Sequence, residues 1–104
     1  MSRYVPGDIV LVPFPHEREQ NTKVRPALVI ATRPDGDLCC FPIRSTPRAG
    51  TVCIPITIDD FALGGLDLFS ESYVQTDTVR RVRIGTVIGM KGRVTGEFLK
   101  MFKK

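Results

Sequence analysis

The sequence predicts a mainly β protein of the α+β class: a small, strongly curved β-barrel with one helix packed on it. Three observations point there. Short runs of branched and aromatic residues recur along the chain, bounded by Gly, Pro and Asp turn signals about every 8–12 residues. The only helical pattern lies at the C-terminus, after the strands. The 104 residues also suffice for only one domain, residues 1–104, with a modest core.

The elements follow in order. Asp8–Phe14 (DIVLVPF) reads as a strand that ends at the Pro13/Pro15 break. His16–Val24 is polar and reads as a loop. Pro26–Thr32 (PALVIAT) is nearly continuously apolar, as a buried central strand would be. Arg33-Pro34-Asp35-Gly36 has turn chemistry, with Pro presetting φ and Gly accepting positive φ. Asp37–Ile43 should return beside the preceding strand as a hairpin.

Arg44–Gly50 is a second polar loop, and Thr51–Ile58 a strand whose Pro55 suggests an edge or bulge. Asp59–Phe69, broken by Gly64-Gly65, reads as loop or a short turn. Ser72–Asp77 and Val79–Ile84 read as further strands, and Ile84–Met90 shows no decisive pattern. In the tail, Thr95 can cap a helix, with Glu97 in its first turn and lysines in its last. Phe98, Leu99 and Phe102 then form one apolar stripe.

Charge is unevenly distributed. Residues 1–79 carry 7 basic and 10 acidic side chains, whereas residues 80–104 carry 8 basic and one acidic. Such clusters are often solvated surface, but they also focus potential onto phosphates or an acidic protein. The three cysteines, Cys39, Cys40 and Cys53, form neither an even disulfide framework nor a metal-ligand spacing. They read as small buried apolar residues in a reducing cytoplasm. No apolar run approaches the roughly 20 residues of a membrane span, and no signal-peptide pattern opens the chain.

Candidate chemistry concentrates in the two polar loops. The first holds His16, Glu17, Arg18, Glu19, Gln20 and Lys23, with Arg25 at the start of the apolar strand; the second holds Arg44, Ser45, Thr46 and Arg48. If the flanking strands are neighbours, both loops leave on one rim. Arginine there offers a fixed fork of donors to phosphate oxygens. A His or carboxylate can move protons, and Ser or Thr hydroxyls can orient a scissile phosphate. Because Arg25 precedes Pro26, its backbone is held extended and its side chain projects in a defined direction. Its ordinary alternative is a surface ion pair with Glu19 or Asp77. No P-loop, dinucleotide fingerprint, helical zinc motif or G-x-S-x-G elbow is present.

Gly7-Asp8-Ile9-Val10, the loop with Glu19-Gln20, and Arg25-Pro26-Ala27-Leu28-Val29-Ile30 together resemble the opening of the PemK/MazF toxin family. Phe41-Pro42-Ile43-Arg44-Ser45, Ser72 through Asp77, and Ile88-Gly89 through Leu99 resemble its later motifs in the same order. The resemblance implies an SH3-like or CcdB-like barrel that forms a homodimer. It implies the toxin of a type II toxin–antitoxin system, a cytoplasmic endoribonuclease needing no metal or cofactor, which cuts single-stranded RNA at short sequences. The expected partner is an antitoxin with an acidic, partly disordered segment. The implied catalytic residues are Arg25, Ser45 and Asp77, with His16, Glu19, Gln20, Lys23, Arg44, Thr46 and Gln75 binding RNA or supporting them.

The chain departs from the family pattern at two positions. Arg44 stands where Thr is usual, and Gln75 where the family has Arg. Arg44 could restore the missing cation from the neighbouring segment. The departures also leave room for a non-catalytic member of the fold that binds a protein partner.

Overall fold

The computed structural model describes residues 4–15, 22–44, 53–64, 72–77 and 79–102. Among these, eight antiparallel strands and one short helix follow in order. The strands are β1 (Asp8–Pro15), β2 (Thr22–Thr32), β3 (Leu38–Arg44), β4 (Cys53–Ile56), β5 (Phe61–Gly64), β6 (Ser72–Gln75), β7 (Arg80–Val82) and β8 (Gly89–Val94); the helix is α1 (Gly96–Lys100). The strand order is β4-β6-β3-β2-β1-β8-β5, with β7 also pairing with β3. The sheet curls into a half-barrel, and α1 packs against it, as the pattern of short strands before one helix predicts.

The central strands are buried on both faces. Successive strand residues point to opposite sides, so β1, β2 and β3 each feed two clusters. The first contains Ile9, Leu28, Phe41, Ile43, Ile56, Val74, Val94 and Phe98. The second contains Val10, Val12, Ala27, Val29, Leu38, Cys40 and Val82, with Tyr4, Ile84 and Val87 against it. This double burial accounts for the unbroken apolar run in β2.

Local chemistry sets the turns and the cap. At the β2–β3 turn, Gly36 has φ +92° and donates to Arg33 O at 2.9 Å, while Asp37 N donates to Asp35 Oδ1 at 3.0 Å. The helix is too short to persist alone. Thr95 caps it by accepting from Phe98 N at 3.2 Å, a bond that in such positions contributes about 1 kcal/mol. Phe98 is buried and its ring meets Phe102 edge-on at 5.3 Å; Phe102 in turn lies 5.7 Å from Phe41. A 3-10 turn at Ile58–Asp60 precedes β5, and its Asp60 O accepts from Thr95 N at 2.8 Å, joining that turn to the helix start.

Gly7 and Asp8 join three elements. Gly7, at φ +102°, donates to Val29 O at 2.8 Å and accepts from Val94 N at 2.9 Å. The Asp8 side chain is only 1% exposed. It accepts from Val5 N at 3.0 Å and from Arg93 Nε at 2.6 Å. The same carboxylate raises the Arg93 pKa further, through that hydrogen bond first and its charge second. One of the basic residues of the last quarter is therefore committed to the fold.

The structure corrects several boundaries. Thr22–Val24 belong to β2 rather than to a loop, because Pro15↔Thr22, Phe14↔Lys23 and Pro13↔Val24 extend the β1–β2 ladder beyond the apolar stretch. Arg44 is the last residue of β3 and pairs with Tyr73. Residues 61–64, read as loop, form edge strand β5 through pairing with β8. The predicted strand ending at Asp77 stops at Gln75, and Asp77 lies in a turn. Strand β8 had no sequence signature, since Gly89, Lys91 and Gly92 are poor strand formers. It is held between β1 and β5 by its ladder partners. Pro55, as expected, sits on an edge strand, β4. Of the cysteines, none in a disulfide, only Cys40 is fully buried; Cys39 and Cys53 are half-buried because their strand positions fall outside the clusters.

Burial, and then the neighbouring Cys39, push the Cys40 thiol up to about 12 from 9.0. Folding therefore retains a proton that the unfolded chain releases above pH 9. Stability should fall as pH rises from 9 towards 12, and Cys40→Ala should flatten that limb in urea titrations. Unchanged curves in the variant would refute the assignment. A second expectation concerns β5. At Gly64 (φ +71°) an added Cβ would lie 2.4 Å from Lys91 O, whereas at Gly36 it would meet nothing within 4 Å. Gly36→Ala should cost about 1–2 kcal/mol for the backbone conformation alone. Gly64→Ala should lower the urea midpoint clearly more; equal midpoints would contradict the close approach.

Candidate functional site

Strand alternation assigns Arg25 to a face. Ala27 and Val29 lie in the second cluster, so Arg25, two residues before Ala27, projects to that same side. It opposes Val12, another member of that cluster, and is half-buried. It forms no ion pair with another described residue, so the alternative pairing with Asp77 is not made.

Arg44 reaches the same side by the same rule. Cys40 belongs to the second cluster, and Phe41 and Ile43 to the first; Pro42 and Arg44 therefore follow Cys40. The β2–β3 ladder reaches Ala27↔Pro42, and from there β3 pairs with β6 through Ile43↔Val74 and Arg44↔Tyr73. Arg25 and Arg44 thus stand two residues beyond one ladder pair, at the same end of the sheet and on the same face. Arg44 is exposed and has no ion pair among the described residues.

Strand β6 adds two polar groups to that face. Val74 is in the first cluster, so Tyr73 and Gln75 lie opposite it. Tyr73 is half-buried beside Arg44, and Gln75, paired with Cys53, is 4% exposed. Gln75 is therefore enclosed within the protein. Asp77 is exposed, in the turn between β6 and β7. That turn runs alongside β3 between its pairing with Val74 and its pairing with Arg80, so Asp77 lies farther from the Arg25 end than Gln75 does. Lys23 lies in β2 opposite Phe14. His16, Glu19, Gln20, Ser45 and Thr46 lie outside the described residues, although Ser45 directly follows Arg44.

The basic quarter of the chain divides into distinct roles. Arg81 donates to Asp35 Oδ2 and, at 3.1 Å, to Asp37 Oδ2, tying β7 to the β2–β3 turn. Asp35 is held below the ordinary carboxylate range, chiefly by the Asp37 backbone N–H and also by Arg81 and Arg33. Arg93 is engaged by Asp8. Arg80 and Arg83 are exposed and free of ion pairs among the described residues. Sequence reasoning passed over Tyr73 and Arg80 as individual site candidates. The alternation of Val74 and Val82 with these polar neighbours was the available signal.

Among the described residues, no three His, Cys, Asp or Glu side chains cluster to hold a metal ion, and no helix is long and apolar enough to cross a membrane. Chemically, the face offers two guanidinium groups near one end of adjacent strands, an aromatic ring and a buried amide. Such a set suits a phosphodiester flanked by bases.

A search of curated proteins finds no match. A scan against protein families matches the PemK-like, MazF-like toxin of type II toxin–antitoxin systems over residues 5–103. That span includes every described strand, the helix, and Arg25 and Arg44, and by it the chain belongs to the PemK-like, MazF-like toxins of type II toxin–antitoxin systems.

Proposed function

We propose that this toxin is an endoribonuclease that cuts single-stranded RNA at short sequences, in the cytoplasm, under the control of a cognate antitoxin. The observation that carries the reading is the placement of Arg25 and Arg44 beyond one ladder pair, on one face, in a chain of this family. Family membership supports RNA cleavage as the activity, and the two guanidinium groups supply what a developing phosphorane requires.

The nucleophile belongs to the substrate. The ribose 2′-oxygen attacks the adjacent phosphorus and gives its proton to a base, and the P–O5′ bond breaks as the 5′-oxygen takes up a proton. The products are a 2′,3′-cyclic phosphate and a 5′-hydroxyl. Charge builds on the non-bridging oxygens, where Arg25 stabilises it. Arg44 supplies the second cation in place of the amide at Gln75, and Ser45 orients the phosphate. Asp77 is the described carboxylate for proton transfer, with His16 and Glu19 the candidates from the first polar segment. Lys23, Gln20 and Thr46 hold the flanking RNA.

The chain acts as a homodimer whose RNA face the antitoxin covers with an acidic segment. The net charge of +4 favours both the RNA and that segment.

Purified protein should cleave single-stranded RNA in the presence of EDTA and leave 5′-hydroxyl ends, mapped by primer extension. Arg25→Ala should lower kcat by about 10²–10³-fold and relieve growth arrest on expression. Absence of cleavage across a broad RNA panel would overturn the reading. RNA binding without cleavage, indifferent to Arg25→Ala, would assign the chain instead to a non-catalytic binding role.

A further inference from the structure

We propose that Arg80 is a separate RNA phosphate contact, holding a nucleotide away from the one bound between Arg25 and Arg44. The inference rests on the RNA-cleaving reading and extends its footprint along β3.

Placement carries the argument. Arg80 pairs with Cys40, and Val82 with Leu38; Cys40, Leu38 and Val82 all belong to the second cluster. Arg80 therefore shares the face of Arg25 and Arg44. Arg81, between Arg80 and Val82, projects to the opposite side, where Asp35 and Asp37 neutralise it. Four residues of β3 separate the level of Arg80 from Arg44. At about 3.3 Å per residue this is roughly 13 Å of backbone, so side chains that project side by side from the two levels meet different phosphates. Arg80 is exposed and has no ion pair among the described residues. Among the described residues it therefore makes none of the ion pairs by which Arg81 and Arg93 serve the fold. Tyr73 stands beside Arg44 on the same face, so the surface offers a cation with a ring at one level and a second cation at the other. That order suits an unpaired strand, whose phosphates and bases need different partners.

Arg83 supplies an internal control. Ile84, like Val82, packs on the second cluster, which turns Arg83 to the other side. It carries the same charge as Arg80 on the opposite face.

The test uses the full-length protein and a fluorescein-labelled, single-stranded 2′-O-methyl RNA, which cannot be cut because its nucleophile is blocked. Kd is measured across a salt series for the parent protein, Arg80→Gln, Arg80→Lys and Arg83→Gln. Arg80→Gln should reduce the slope of log K against log salt by about 0.7, the value for one phosphate contact on a single strand. Arg80→Lys should restore the slope, and Arg83→Gln should leave it unchanged.

Equal loss in both glutamine variants would reduce the effect to net charge and overturn the proposal. An unchanged slope in Arg80→Gln would also overturn it, while RNA cleavage sensitive to Arg25→Ala would leave the broader reading standing. An unchanged RNA slope with weaker binding to polyglutamate would move Arg80 to an acidic protein partner, again overturning it. Failure of the parent protein to bind or cut RNA would overturn both readings.

Discussion

The period-two alternation of side chains through strands buried on both faces is the constraint on which the rest depends. Ile9, Leu28, Phe41 and Ile43 point to one side of β1–β3; Val10, Val12, Ala27, Val29, Leu38 and Cys40 point to the other. A slip of one residue in any of these strands would exchange both sets at once. The register is therefore strongly specified, and it carries past the apolar residues to the polar ones that flank them. Arg25 and Arg44 share a face because Ala27 and Cys40 cannot leave theirs. In this sense the core aims the two arginines.

The second organising element is the Gly7-Asp8 corner. A residue at φ +102° bridges β2 and β8 by backbone bonds, and a buried carboxylate holds both Val5 N–H and Arg93. Removing that carboxylate would leave the Val5 N–H and the Arg93 guanidinium without their acceptor. The opening motif of the chain is thus structural chemistry. Its partner on β8 lies 85 positions away, which explains why the strand it fastens can afford glycines. The basic excess of the last quarter is correspondingly not one patch. Arg93 and Arg81 are fold residues, while Arg80 and Arg83 lie on opposite sides of β7.

Much of this was legible in the sequence. Continuous apolarity identified β2, the Arg33–Gly36 turn identified the β2–β3 hairpin, and Thr95 with Phe98 and Phe102 identified the helix. What the sequence does not mark depends on partners distant along it. Strands β5 and β8 pair with each other and carry glycines, so no local propensity marks them. Thr22–Val24 look like loop until their ladder with Pro13–Pro15 is seen. For the site, Arg25 could be singled out because Pro26 constrains it. The proximity of Arg44 to Arg25 could only be conditional until the β2–β3 register was known. The burial of Gln75 and the divergence of Arg80 from Arg81 follow from pairings that composition does not encode.

The central claim is that two arginines on neighbouring strands act on one phosphodiester. A double-mutant cycle on RNA cleavage addresses it most directly, comparing kcat/KM for Arg25→Ala, Arg44→Ala and the combined variant. Groups serving one phosphate should couple, with the double loss departing from the summed single losses by about 1–3 kcal/mol. Strictly additive losses would mean that the two guanidinium groups act on separate parts of the RNA, and would contradict the account.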